Sequence, residues 1–169
     1  MASWSDNIRK VEPYVPGEQP KDENVIKLNT NENPYGPSPR IRDIEQNAEM
    51  LRLYPDPAAS MLVDAIAEYH GVATDQVFVG VGSDDVLAMS FLTFFNSDKP
   101  ILFPDITYSF YDVWAELFRI PYERPVLDKN FRIVKEDYYR ENGGVVFPNP
   151  NAPTGICQSL ADVEDIVSH

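Results

Sequence analysis

The stretch GVGSDDVL, residues 80–87, sets two glycines, a serine and two aspartates between an apolar run and a helical pattern. A strand, a glycine turn and a helix in that order present backbone N–H groups to an anion. Ser83 is expected to cap the helix, leaving the N–H groups near Ser83 to Asp85 without intrahelical partners. The dinucleotide fingerprint needs a small residue at the sixth position, where this sequence has Asp85, and the Walker pattern is absent. Asp84 and Asp85 suit the helix dipole but would repel a phosphate. A phosphate must therefore meet backbone N–H groups, with both carboxylates turned aside. Taken alone, the stretch reads more readily as a well-capped turn.

Three further segments carry chemistry. FPDITYSFY, residues 103–111, places Tyr108 at a strand-to-helix turn, where an aromatic can lie on a flat ring or simply pack in the core. Offset stacking contributes roughly 0.5–1.5 kcal/mol beyond area burial. PNPNAPTG, residues 148–155, is a proline-stiffened loop that displays amides or merely turns the chain. RLYPDP, residues 52–57, holds Tyr54 just before a helix, fixed by the following proline.

The elements that must position these residues alternate. Residues 1–40 are proline-rich and polar, an extended arm with at most one short strand at Val25–Leu28. A short helix is expected over Arg40–Leu51. The next has Asp56 as cap, Pro57 at its first position, Gly71 at its exit, and Leu62, Ala65, Ile66 and Tyr69 on one face. Strands are expected at Val77–Val79, Ile101–Phe103, Tyr122–Val126 and Val145–Phe147. Val86, Leu87, Ser90, Phe91 and Phe94 mark one helix, and Tyr111, Trp114, Ala115 and Phe118 another. The last helix has Ser159 as cap, with Leu160, Val163 and Val167 inward. His70 and His169 fall near helix C-termini. Short apolar strands alternating with helices predict an α/β fold with a largely parallel sheet. Residues 1–40 form an arm and substrate-lining segment, and 41–169 the first part of a larger domain. The chain stops inside an amphipathic pattern and reads as the front part of a larger enzyme.

Composition narrows the classes. The 169 residues carry a net charge of −13 with only 14 Lys and Arg, which disfavours nucleic acid and anionic membranes as partners. The one cysteine, Cys157, rules out a disulfide within the chain and fits a reducing, cytoplasmic compartment. MASWSDNIRK lacks a signal-peptide pattern, VLAMSFLTFF is too short to span a bilayer, and the histidines do not have metal-site spacing.

In order, KLNTNENPYGPSP (27–39), LYPDP (53–57), GVGSDDVL (80–87), FPDITYSFY (103–111) and PNPNAPTG (148–155) resemble the pyridoxal-phosphate-dependent aminotransferases of fold type I, and within them the branch acting on histidinol phosphate. The resemblance runs from about Val11 to the end. It implies a mostly parallel sheet flanked by helices, with pyridoxal 5'-phosphate (PLP) as cofactor. It also implies a homodimer and ping-pong amino transfer between L-histidinol phosphate and 2-oxoglutarate in histidine biosynthesis.

The same resemblance implies roles for individual residues. Backbone at Ser83 and Asp84 would hold the cofactor phosphate, and Tyr108 would stack on the ring. Tyr54 would reach the phosphate of the partner's cofactor across the dimer. Tyr14, Asn31 and Asn33 would line the substrate pocket. The family commonly has Asn immediately before P-T-G, bonded to the cofactor's phenolic oxygen. Here that position is Ala152, and Asn151 is expected to take the role. The Schiff-base lysine and the substrate-carboxylate arginine lie beyond this chain, so no catalytic residue is assigned and 1–169 alone is expected to be inactive. Two other activities stay open: an aminotransferase of the same branch acting on aromatic amino acids, and a PLP-dependent decarboxylase of an amino-acid phosphate. A non-catalytic binding fragment of the same fold is the remaining class.

Overall fold

Ile101, Leu102 and Phe103 are wholly buried at the centre of two hydrophobic clusters. In this computed structural model, residues 8, 10–12, 14–22, 24–30, 32–43 and 52–169 are described. The chain divides into two compact units, Met1–Tyr14 with Gly80–His169, and Val15–Val79.

In the first unit, β1 (Ile101–Leu102) lies between β2 (Tyr122–Glu123) and β3 (Gly144–Val145), and both pairings are parallel. Ile101 faces Tyr122 on one side and Gly144 on the other. Parallel neighbours need a crossover, and α3 (Phe110–Phe118) supplies the one from β1 to β2. The strands are shorter than their apolar runs because Pro104, Pro121 and Pro125 cannot donate to a ladder. Pairing nonetheless extends past them, with Asp105 N donating to Pro125 O at 3.0 Å and Val146 N to Leu102 O at 2.9 Å.

Side chains alternate across the sheet. Ile101 and Phe103 pack with Phe91, Tyr111, Ala115 and Ile120, beneath α2 (Ser83–Phe94) and α3. Leu102 points the other way, into Leu127, Ile133, Tyr138 and Ile166, beside α4 (Leu160–Ser168) and a 3-10 turn at Lys135–Tyr138. Each such aliphatic or aromatic side chain contributes about 1.5–3 kcal/mol when fully buried. Two glycines seat β3. A Cβ on Gly143 would lie 2.4 Å from the Lys99 carbonyl oxygen, and one on Gly144 would lie 2.5 Å from the Phe95 ring.

Ser159 caps α4 as expected, accepting from Asp162 N at 3.1 Å. Its inward face differs from the expected one: Ile166 is buried, whereas Leu160 and Val167 are exposed. The expected set was rotated from the contact stripe, which Ile166 and the half-buried Val163 define.

In the second unit, α1 (Ser60–His70) ends at Gly71, whose φ of 67° suits glycine, and Val72 N returns to Ala67 O at 3.0 Å. The helix starts later than Asp56 and Pro57 imply. Residues 56–59 form a turn first, with Ala59 at φ 48°, and Asp56 accepts from Ala58 N and, at 2.7 Å, from Ser60 N. Of α1 only Ala67 is buried; Leu62 and Tyr69 are exposed. Of the helix expected at Arg40–Leu51, the described part is a 3-10 turn at Pro39–Asp43, and residues 44–51 lie outside the described residues. Val25–Leu28 and Val77–Val79 form no strand, because an extended segment becomes one only against a partner and none pairs with them among the described residues. Among the described residues no helix is long and apolar enough to cross a membrane.

Candidate functional site

The turn at residues 80–85 enters α2 one residue earlier than the serine cap implies. Gly82, at φ 83°, is the N-cap, and Ser83 is the first helical residue with no side-chain capping bond. That φ lies in the left-handed region where only glycine sits without strain. Asp85 folds back instead onto the turn before the helix, its Oδ2 accepting from Val81 N at 3.0 Å. Gly80 makes room for this fold-back: a Cβ there would stand 2.6 Å from Asp85 Oδ2 and 3.0 Å from Val86 Cγ2.

The other carboxylate is also engaged. Tyr108 Oη donates to Asp84 Oδ1 at 2.7 Å. Among the described residues, no hydrogen bond is donated by the backbone N–H of Ser83, Asp84 or Asp85. The first turn of α2 therefore offers consecutive free donors at the positive end of a helix dipole, while both nearby carboxylates are held by other groups.

Tyr108 stands between β1 and α3, half-buried. Tyr111 meets it edge-on at 5.7 Å and Phe110 lies tilted at 5.7 Å. Burial, and then the hydrogen bond to Asp84, hold the Tyr108 hydroxyl well above its ordinary pKa of 10.0, so it remains a donor at neutral pH. Burial alone pushes Tyr111 up to about 12. Tyr14 joins this aromatic group through Phe110, with ring centroids 4.3 Å apart.

The 148–155 loop converges on the same place. Asn151 is 3% exposed. Its Nδ2 donates to Ile106 O at 2.9 Å and to Thr154 Oγ1 at 3.1 Å, and its Oδ1 accepts from Thr107 Oγ1 at 2.8 Å. Gly155 N donates to Asn151 O at 2.7 Å and Asn151 N to Ile156 O at 2.8 Å. The Asn149–Pro150 and Ala152–Pro153 peptides are cis. Asn151 thus grips residues 106 and 107, immediately before Tyr108, and both of its amide hydrogens have protein acceptors.

Ser83, Asp84, Tyr108, Asn151 and Tyr14 are accordingly gathered in one unit. Asn33 and Tyr54 belong to the other. Asn33 Oδ1 accepts from Tyr35 N at 2.9 Å, an Asx turn that shapes NPYG. Tyr54 is fully exposed. Asn31 lies outside the described residues. Sequence reasoning missed Thr107 and Thr154 as partners of Asn151, and the Asp84 carboxylate as partner of Tyr108. The only signal for the first was a hydroxyl residue beside each of two loop anchors.

The family described as aminotransferase class I and II matches residues 23–169. Histidinol-phosphate aminotransferase 1 of Methylococcus capsulatus is 57% identical over 167 residues, covering 98% of this chain and 47% of that protein. Histidinol-phosphate aminotransferase of Lactococcus lactis subsp. cremoris is 52% identical over 169 residues, covering 99% and 48%. A crystal structure of a protein from Erwinia carotovora atroseptica superposes with a TM-score of 0.73 at 22% identity, covering 86% of this chain and 44% of that one, which bears out the parallel sheet flanked by helices. The chain spans about half the length of the curated relatives it matches. On the extent of the family match and the identity to these relatives, the chain belongs to the aminotransferase class I and II family.

Proposed function

We propose that the full-length protein transfers an amino group between L-histidinol phosphate and 2-oxoglutarate with PLP as cofactor, as a cytoplasmic homodimer. The observation that carries this reading is identity above half to histidinol-phosphate aminotransferases over nearly the whole of this chain.

The residues present fit the cofactor. Free N–H groups at Ser83 and Asp84 suit a phosphate, and their neighbouring carboxylates are bonded elsewhere. When bound, PLP supplies the electron sink that lets a proton leave the amino-bearing carbon. This chain's residues bind and orient. Ser83 and Asp84 N–H groups anchor the phosphate, and Tyr108 offers its ring as a stacking surface. By the family resemblance, Tyr14, Asn31 and Asn33 would be substrate-side residues, and Tyr54 would reach the phosphate of the partner's cofactor. Asn151 would be the residue beside the cofactor's phenolic oxygen, and of its two amide bonds the longer is the one to Thr154. The proton-transferring lysine is not supplied by these residues.

The test is a substrate panel on the full-length enzyme. Amino transfer from L-histidinol phosphate to 2-oxoglutarate, at rates well above those with aromatic amino acids and without decarboxylation of amino-acid phosphates, is expected. Preference for an aromatic amino acid, or CO2 release, would replace the reading with the corresponding alternative. Purified 1–169 is expected to be inactive.

A further inference from the structure

We infer that Asp84 is a positioning residue whose carboxylate fixes the plane of the Tyr108 ring, so that the first turn of α2 sets both the phosphate anchor and the stacking surface. This rests on the proposed PLP reading.

A tyrosine ring turns about its Cα–Cβ and Cβ–Cγ bonds, so its far end sweeps the widest arc. Tyr111 and Phe110 flank the ring at 5.7 Å and restrain its body. The only hydrogen bond at the hydroxyl end, among the described residues, is the one to Asp84 Oδ1 at 2.7 Å. That bond is short and charge-assisted, the stronger kind of hydrogen bond. Asp84 makes no ion pair among the described residues, so Tyr108 is the group that holds its half-buried carboxylate. The bond acts at both ends. It orients the ring, and it gives the Asp84 carboxylate a partner other than the free N–H groups. The opposite end of the segment is tied down separately, by Asn151 on Ile106 and Thr107.

The test uses the full-length protein and measures PLP dissociation, with the absorption and circular-dichroism band of the bound cofactor as a second readout. D84A and Y108F should each weaken PLP binding about 3–10-fold, the range for a stacking contribution that depends on orientation. The double variant should be no weaker than the poorer single one. D84N keeps an acceptor for the hydroxyl and should restore the dichroic band that D84A loses. PLP binding with no effect of D84A, additive losses in the double variant, or D84N as impaired as D84A would overturn the inference and leave the PLP reading standing. Failure of the wild-type protein to bind PLP would overturn that reading and the inference with it. Should D84A not fold, unchanged affinity and band shape in Y108F overturn the inference.

Discussion

Tyr108 and Asp84 meet at 2.7 Å although 24 residues separate them in sequence. One belongs to the turn between β1 and α3 and the other to the first turn of α2, so the bond ties the starts of two helices on one sheet face together. Four substitutions, all in the full-length protein, have expected outcomes.

Asn151 is the most constrained polar side chain of the site, buried and bonded to Ile106, Thr107 and Thr154. Asn151→Ala strands the Ile106 carbonyl and removes the clamp beneath Tyr108. A loss of roughly 2–4 kcal/mol is expected in urea denaturation. A variant as stable as the parent would show that the loop does not depend on this clamp.

A side chain at Gly80 would displace the Asp85 carboxylate. Gly80→Ala puts a methyl within 2.6 Å of Asp85 Oδ2, and destabilisation of about 1–3 kcal/mol is expected. Since the clash is with the carboxylate that accepts from Val81 N, G80A and D85A should be less than additive. Strict additivity in a double-variant cycle would contradict the geometry.

Acid should weaken the α4 side of the sheet. Asp165 receives Lys135 at 2.5 Å and the Tyr139 hydroxyl at 2.6 Å. The bonds from Lys135 and then Tyr139 hold its carboxyl below the ordinary value of 3.8. A lowered folded-state pKa contributes stability that is present above the ordinary value and lost as pH falls through the folded one. Asp165→Asn should therefore lower Tm at pH 7, and the gap to the parent should close as pH falls below 3.8. A gap that is constant with pH would point to packing and not charge.

Tyr54, fully exposed in its unit, is proposed to act on the partner's cofactor. Tyr54→Phe should weaken PLP binding about tenfold, the size of one hydrogen bond to a charged group. Unchanged dissociation would remove that role.

Local pattern made much of this legible. The glycine exit of α1, the Ser159 cap and the buried run at Ile101–Phe103 each depend on residues within one turn or one strand. Burial on helix faces was less so: Leu160 and Val167 are apolar but exposed, because the sheet contacts the stripe carrying Ile166. Val77–Val79 has strand composition, yet a strand is a relation to a partner, which no local pattern supplies. At the site, residue types allowed a phosphate and a flat ring without requiring either, and the connections among them run over 24 to 45 residues. Those links follow from sheet order and strand pairing, which spacing alone does not encode.

The glycine pair at the start of β3 has a consequence for how the sheet assembles. Side chains on a strand alternate in facing, so a slip of one residue exchanges the two faces. Such a slip would bring Val145 to the place where Gly144 now touches the Phe95 ring, a distance at which no Cβ fits, and would turn its side chain out of the cluster around Tyr138. Gly143 and Gly144 thus work as a stop: they admit β3 beside β1 in one alignment and reject the neighbouring one by collision.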